Sequence, residues 1–182
     1  VLRFYQGEWM TRLPTDYDWS YFFGGSRTPI CNPGSALLIE SKRFPLVWSA
    51  LKTPLPTWQA LLPETRSPYP THWLSDPSWL LKSAFCNTGD TVTIRGLSDR
   101  RQYWRTVGQA LVRPDQWIVQ RRFETVGIPT PEGVMYPCLG VYTVNGQAAG
   151  IYGRMARQPL INFAAIDVAV LIQDEHGREQ HG

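Results

Sequence analysis

Prolines and glycines, 15 of each in 182 residues, cut this chain into short pieces. Proline fixes φ and lacks the amide proton that helix interiors and central strands use, while glycine opens backbone conformations closed to other residues. Short strands, short helices and many turns are therefore expected. What lies between the breaks can still pack. Hydrophobic residues make up 43% and charged residues 18%, a globular rather than a disordered composition. Eight tryptophans imply either a core of large flat side chains or aromatic surfaces that meet a ligand or partner. The length supports a real core, and with no internal repeat or linker in view 1–182 reads as a single domain.

Charge and cysteine content narrow the class. A formal charge of +3 is too small to argue for nucleic acid by itself. No apolar run approaches the roughly 20 residues of a membrane span, and the opening residues lack a basic-then-apolar pattern. Cys31, Cys86 and Cys138 cannot all pair within one chain, and none has CxxC spacing; free buried thiols in a reducing compartment are expected. These features predict a cytoplasmic protein with neither membrane nor nucleic acid as partner. Val1 opens directly into an apolar run, as in the middle of a longer polypeptide or after processing of a natural start.

Local patterns predict the elements. A strand is expected at Val1–Tyr5 and a helical turn at Glu8–Leu13 that Pro14 stops. The aromatic stretch Asp16–Phe23 reads as a helix or loop plugging a core edge, and Gly24–Gly34 as loop. Pro45 fits the first turn of a helix running to about Leu51, with Ser41 as cap. Lys42 and Arg43 then stand where the helix dipole opposes cations; a bound anion would reconcile them, and plain solvation is the simpler alternative. A short amphipathic helix at Thr57–Leu62 and a proline-rich loop at Glu64–Asp76 follow. Ser98 is placed to cap a helix from Asp99 to about Val112, with Tyr103, Trp104, Val107, Ala110 and Leu111 as its apolar stripe. Gln116–Glu124 reads as a strand and Val126–Gly133 as a Pro/Gly loop. Tyr136–Val144 and Gln147–Ala156 read as strands joined by an Asn145-Gly146 turn. A last apolar element is expected at Asp167–Ile172, followed by a polar tail from Gln173. The sum is α/β in the α+β sense: a mostly antiparallel sheet with flanking helices on one side.

One stretch carries candidate chemistry. Trp79, Leu80 and Leu81 form an apolar strand that Lys82 interrupts, Cys86–Asp90 is turn-forming with Gly89 free to take positive φ, and Val92 and Ile94 alternate with polar residues as a second strand. A lysine at a strand end facing a glycine loop makes a phosphate site, the ammonium supplying charge and the loop amides directional donors. An ordinary hairpin with a solvated lysine fits the same residues.

Taken in order, SKRFPLVW, LLPE, WLLKSAFCNTGDTV, WIVQRRF and GVYTVNGQAAGIYGR resemble the C-terminal half of the glutathionylspermidine synthase-like proteins, over about Asn32 to Ile172. The resemblance implies an ATP-grasp-like half-fold and an ATP-dependent carboxylate–amine ligase acting through an acyl phosphate, with ATP and magnesium as cofactors. It implies that Lys42 and Lys82 touch nucleotide phosphate, that Gly89 belongs to the phosphate-covering loop, that Gln120 lies on the strand passing the adenine, and that Arg154 stabilises the transferring phosphoryl group. The family's magnesium ligands, an arginine-x-aspartate and a glutamate-x-asparagine, lie upstream of the half resembled, and no magnesium ligand is identified in this chain. The run MARQPLINFAAIDVAVLI also departs from the family's more polar ending. The isolated chain is therefore expected to be inactive, with a missing N-terminal half or self-association covering an apolar face, and its carboxylate and amine substrates are unassigned. Two other readings compete: a non-catalytic ATP-grasp relative that binds nucleotide or a partner protein, and a nucleic-acid module using Arg95, Arg100, Arg101, Arg121 and Arg122 beside aromatics.

Overall fold

A computed structural model describes residues 5–10 and 12–172. Most of the strand expected at 1–5 and the whole tail from 173 lie outside the described residues. The described chain falls into two compact units: one comprises the chain up to Asn87 together with Thr91–Arg122, the other Thr88–Asp90 and the chain from Phe123 onward. Every strand pair among the described residues is antiparallel, in two four-stranded sheets. The fold is thus α+β, with a sheet in each unit.

The first unit opens with short helices α1 (Gly7–Met10), α2 (Tyr21–Gly24), α3 (Ala36–Glu40) and α4 (Pro56–Leu61), separated by 3-10 segments at Thr15–Tyr17 and Phe44–Ala50. The aromatic stretch does not plug a core: Tyr17, Tyr21 and Phe23 are exposed. The helix expected from Ser41 is the 3-10 segment instead. Arg43 occupies the cap position without a side-chain cap bond, and Ser41 Oγ only accepts from Arg43 N at 3.3 Å. The proline-rich stretch expected to be loop contains strand β1 (Thr65–Arg66) and a 3-10 turn, Thr71–Ser75, that buries Trp73. Trp73 satisfies its indole N–H on Pro68 O at 2.8 Å, as buried tryptophans usually do.

Strands β2 (Trp79–Ser83), β3 (Thr93–Ile94) and β4 (Trp117–Arg121) complete the first sheet in the order β1-β4-β2-β3. Side chains alternate across a sheet, and the register pairs Leu81 with Val119 and Ser83 with Trp117 on one face, Leu80 with Gln120 and Lys82 with Ile118 on the other. Helix α5 (Arg100–Val112) covers the first face, packing Tyr103, Val107 and Ala110 against Trp79, Leu81, Trp117 and Val119. These apolar positions recur at i, i+4 and i+7, one stripe of a helix. Leu81 and Val119 are buried, and each such side chain contributes roughly 1.5–3 kcal/mol. Trp104, expected in the stripe, is 51% exposed.

The start of α5 differs from expectation by one residue. Asp99, not Ser98, is the cap: its Oδ1 accepts from Arg101 N at 2.9 Å and Gln102 N at 3.0 Å. Ser98 Oγ instead accepts from Ile94 N at 3.0 Å, tying β3 to the helix entry. The helix ends at Arg113, the residue before Pro114, where proline disfavours helical geometry. At the edge of the sheet the guanidinium groups of Arg66 and Arg121 lie 5.2 and 4.4 Å from the Trp79 ring centre, and Arg121 is also paired with Asp76 at 2.6 Å.

Helical segments on one side only is not what is found. The opposite face of this sheet, bearing Lys82 and Gln120, shares a cavity with Phe44–Ala50 and α4.

The second unit is a meander of strands β5 (Ile128–Thr130), β6 (Gly133–Val144), β7 (Gln147–Ala156) and β8 (Ile166–Val168), paired in chain order. β5 falls in the expected Pro/Gly loop; as an edge strand it tolerates Pro129. The β6–β7 turn is as expected, with Asn145 at φ 52° and Gly146 at φ 78°, the paired positive values of a tight I′ turn. Residues 161–163 extend no strand; the last pairing is β8 with β7.

Candidate functional site: a two-lysine aromatic cleft

The site is built on the sheet face opposite α5. Lys82 lies across from Ile118 and Gln120 across from Leu80, so Gln120 is the diagonal neighbour of Lys82 on one face, within reach of a long side chain. Lys82 Nζ donates to Gln120 Oε1 at 2.7 Å. Gln120 is 7% exposed, and its amide is engaged at both ends: Nε2 donates to Thr65 Oγ1 at 2.8 Å. The Thr65 hydroxyl in turn donates to Pro63 O at 3.0 Å. A buried amide with both ends satisfied is a rigid support, because leaving either end unpaired costs its desolvation.

Lys42 and Arg43 are not simply solvated: they stand at the entry to the 3-10 segment, with Arg43 at its cap position, and both bind backbone. They clamp the ends of the two central strands. Lys42 N donates to Ala84 O at 2.9 Å and its Nζ to Cys86 O at 2.6 Å, just past β2. Arg43 Nη1 donates to Pro114 O at 2.7 Å and Trp117 O at 2.9 Å, at the start of β4. Of the basic pair in SKRF, Arg43 is therefore bound to backbone, while Lys42 uses one of its three donors and lines the cavity.

That cavity, about 620 Å³, is lined by Lys42, Lys52, Lys82, Gln120 and Glu40, with Phe44, Trp48, Trp58 and the side chains of Leu51, Leu55 and Leu62 as its apolar wall. Its size and make-up, apolar with a few convergent polar groups, are those of a small-molecule site. Burial lowers the pKa of Lys82 from the ordinary 10.5, and the positive charge of Lys42 lowers it further, with Cys86 opposing. Burial likewise lowers that of Lys42, with Cys86 and Glu8 opposing. Two partly dehydrated ammonium groups that repel each other favour an anion between or beside them. Trp48 Nε1 is buried in the wall without a hydrogen-bond partner.

Of the residues singled out in the sequence, Lys42, Lys82 and Gln120 meet in this cavity. Gly89 and Arg154 belong to the second unit. Gly89, at φ 76°, packs so closely on Ile161 that a Cβ would come 1.9 Å from Ile161 O. Its neighbour Asp90 accepts from Phe163 N at 3.3 Å. Arg154 Nη2 donates to Asn162 O at 2.9 Å, and its Nε stands 3.4 Å from Asp167 Oδ1. That distance is an ion pair without hydrogen-bond geometry, since Nε is otherwise unpartnered. Tyr152 also donates to Asp167, and this bond raises the pKa of the phenol. The three cysteines are free as expected, but Cys31 and Cys138 are exposed rather than buried.

Several site residues escaped the sequence. Thr65 sits in a stretch whose prolines read as loop, and a strand of two residues leaves no period to detect. Lys52 reads as the exposed end of a helix, yet lines the cavity. The abundance of tryptophan was the only signal for Trp48 and Trp58. Among the described residues no group of three or more His, Cys, Asp or Glu is placed to hold a metal ion, and no helix is long and apolar enough to cross a membrane. Comparison with protein-family models, with curated proteins and with solved structures finds no significant match.

Proposed function

We propose that this chain is the nucleotide-binding portion of an ATP-dependent carboxylate–amine ligase, of the ATP-grasp, glutathionylspermidine synthase-like kind, acting through an acyl phosphate. The observation that carries the reading is the meeting of Lys42, Lys82 and Gln120, far apart in sequence, in one cavity walled by Phe44, Trp48 and Trp58. Cations and aromatic surface in one cavity suit the two halves of a nucleotide: phosphates beside ammonium groups, the flat base against rings. Phosphoryl transfer asks chiefly for positioning and positive charge around developing negative charge, and the lysines supply the charge. Lys82 is braced by Gln120 and Lys42 by Cys86 O. Glu40 is the carboxylate among the lining residues; it would be the residue here to hold a magnesium ion, which takes hard oxygen ligands.

Calorimetric titration with ATP tests this. Lys82→Ala is expected to weaken binding about tenfold or more, the loss of one charge-assisted contact. Lys52→Ala, at a more exposed place on the rim, is expected to do less. Equal effects of the two substitutions, or no ATP binding by the unaltered chain, would remove the reading. Steeply salt-dependent binding to oligonucleotides in place of ATP would point to a nucleic-acid module, and ATP binding without ligation in the presence of any upstream half would leave a non-catalytic relative.

A further inference from the structure

We propose that Thr65 is a positioning residue for the cavity: acting through Gln120, it fixes the ammonium of Lys82 and the direction in which its free protons point. The proposal rests on the nucleotide reading above only for what the lysine meets, not for how it is held.

The direction of each bond follows from the one before. Pro63 O can only accept, so the hydroxyl proton of Thr65 is committed to it at 3.0 Å. Thr65 Oγ1 is thereby left as an acceptor, and only the amide nitrogen of Gln120 can serve it, at 2.8 Å. That choice turns Oε1 of Gln120 toward Lys82, whose Nζ donates to it at 2.7 Å. A flipped amide would set two donors against an ammonium and leave the Thr65 oxygen unserved. A backbone carbonyl outside the sheet thus sets the polarity of the whole chain of bonds. Gln120 is buried, so a lost partner there is costly to leave unreplaced.

The consequence for the lysine is specific. An ammonium has three protons; one is fixed on Gln120, and the geometry leaves the others for acceptors in the cavity that Lys82 lines. The bond to Oε1 also favours the charged form, against the burial and the Lys42 charge that disfavour it. Without the Thr65 hydroxyl the amide loses its anchor, the acceptor turns away part of the time, and more of Lys82 is the neutral, nucleophilic amine.

Competitive acetylation with trace acetic anhydride, read by peptide mass spectrometry with Lys52 as internal reference, measures this directly. Thr65→Val, which keeps the shape and loses the hydroxyl, is expected to raise the relative labelling of Lys82 about threefold or more, since a hydrogen bond to the charged form is lost. Thr65→Ser restores the hydroxyl and is expected to label as the unaltered protein. Thr65→Ala removes the hydroxyl with less steric demand and gives the same comparison should the valine fold poorly; thermal melting of each variant identifies the folded ones. Lys82 labelling that does not distinguish Val and Ala from Ser overturns the proposal. ATP titration of the same variants separates the two ideas: a rise in labelling without ATP binding by the unaltered protein upholds the positioning role and defeats the nucleotide reading. A loss of ATP affinity in Val and Ala that Ser restores supports both.

Discussion

Lys82 and Lys42 each spend one donor inside the protein and keep the others beside a cavity. Both have pKa values below the ordinary 10.5, for the same first reason, burial, and Lys82 additionally because Lys42 is near. The sign for binding follows. An anionic ligand favours the charged lysines, so affinity is fully present where both are protonated and falls as pH rises through their lowered pKa values, that is, before 10.5 is reached. Calorimetric ATP affinity followed from neutral pH upward is expected to decline within that range, and Lys82→Ala is expected to flatten the decline. An affinity that stays level up to 10.5 would mean the ligand does not meet these groups. At this scale Lys82 was legible because a charge interrupting an apolar run stands out, and Lys42 from its place just before Pro45, whereas Gln120 was singled out only through the family resemblance. Thr65 was not, because its role arises from what a neighbouring strand presents to it. Gly89 was legible as a glycine in need of positive φ, but its close packing on Ile161 depends on residues more than 70 positions away in sequence.

Among the elements, α5 bears the most on the site's foundation, since it covers the reverse face of the sheet that carries Lys82 and Gln120. Its start rests on Asp99, which takes up two amide protons with one carboxylate oxygen. Asp99→Ala is expected to cost about 1 kcal/mol of stability, typical for the loss of such a cap, and Asp99→Asn or Asp99→Ser only a fraction of that. Chemical denaturation checks both, and equal stability of all these variants would show that the helix start is held by packing alone. The body of α5 was readable from its 3.6-residue apolar spacing, and β6 and β7 from the Asn145-Gly146 turn that joins them. The cap was misplaced by one residue because Ser98 and Asp99 carry equally suitable oxygens, and only the position of Ile94 N decides which is used where. β1 and β5, with two and three residues, are too short for any period, and prolines within or beside them mimic loop. β1 takes its pairing from β4, far along the chain, which no local window holds; β5 pairs with the adjacent β6 across Pro131-Glu132, a short hairpin that its prolines disguise.

At the scale of the molecule the two units differ in how deeply they are buried. β2 and β4 are buried over most of their length, whereas β6 and β7 are exposed over most of theirs, with Met135, Gly153 and Ala156 as their buried positions. Backbone hydrogen bonds covered by little apolar surface open at lower free energy than those inside a core. Hydrogen exchange is therefore expected to be slowest at Leu81, Ile118 and Val119 and faster by orders of magnitude along the β6–β7 tip, around Val141 to Ile151, with α5 nearer the slow end through Val107 and Ala110. Such a pattern would put the lysine cleft on the most persistent part of the chain, where the Lys82–Gln120–Thr65 geometry is held between binding events rather than formed by them. Addition of ATP should then slow exchange chiefly in Phe44–Ala50 and α4, the less buried walls of the cavity, and little in β2 and β4, which are already protected. Uniform protection across both sheets would show instead that the chain opens as one cooperative whole, and ATP-dependent slowing confined to the β6–β7 hairpin would move the binding site away from the two lysines.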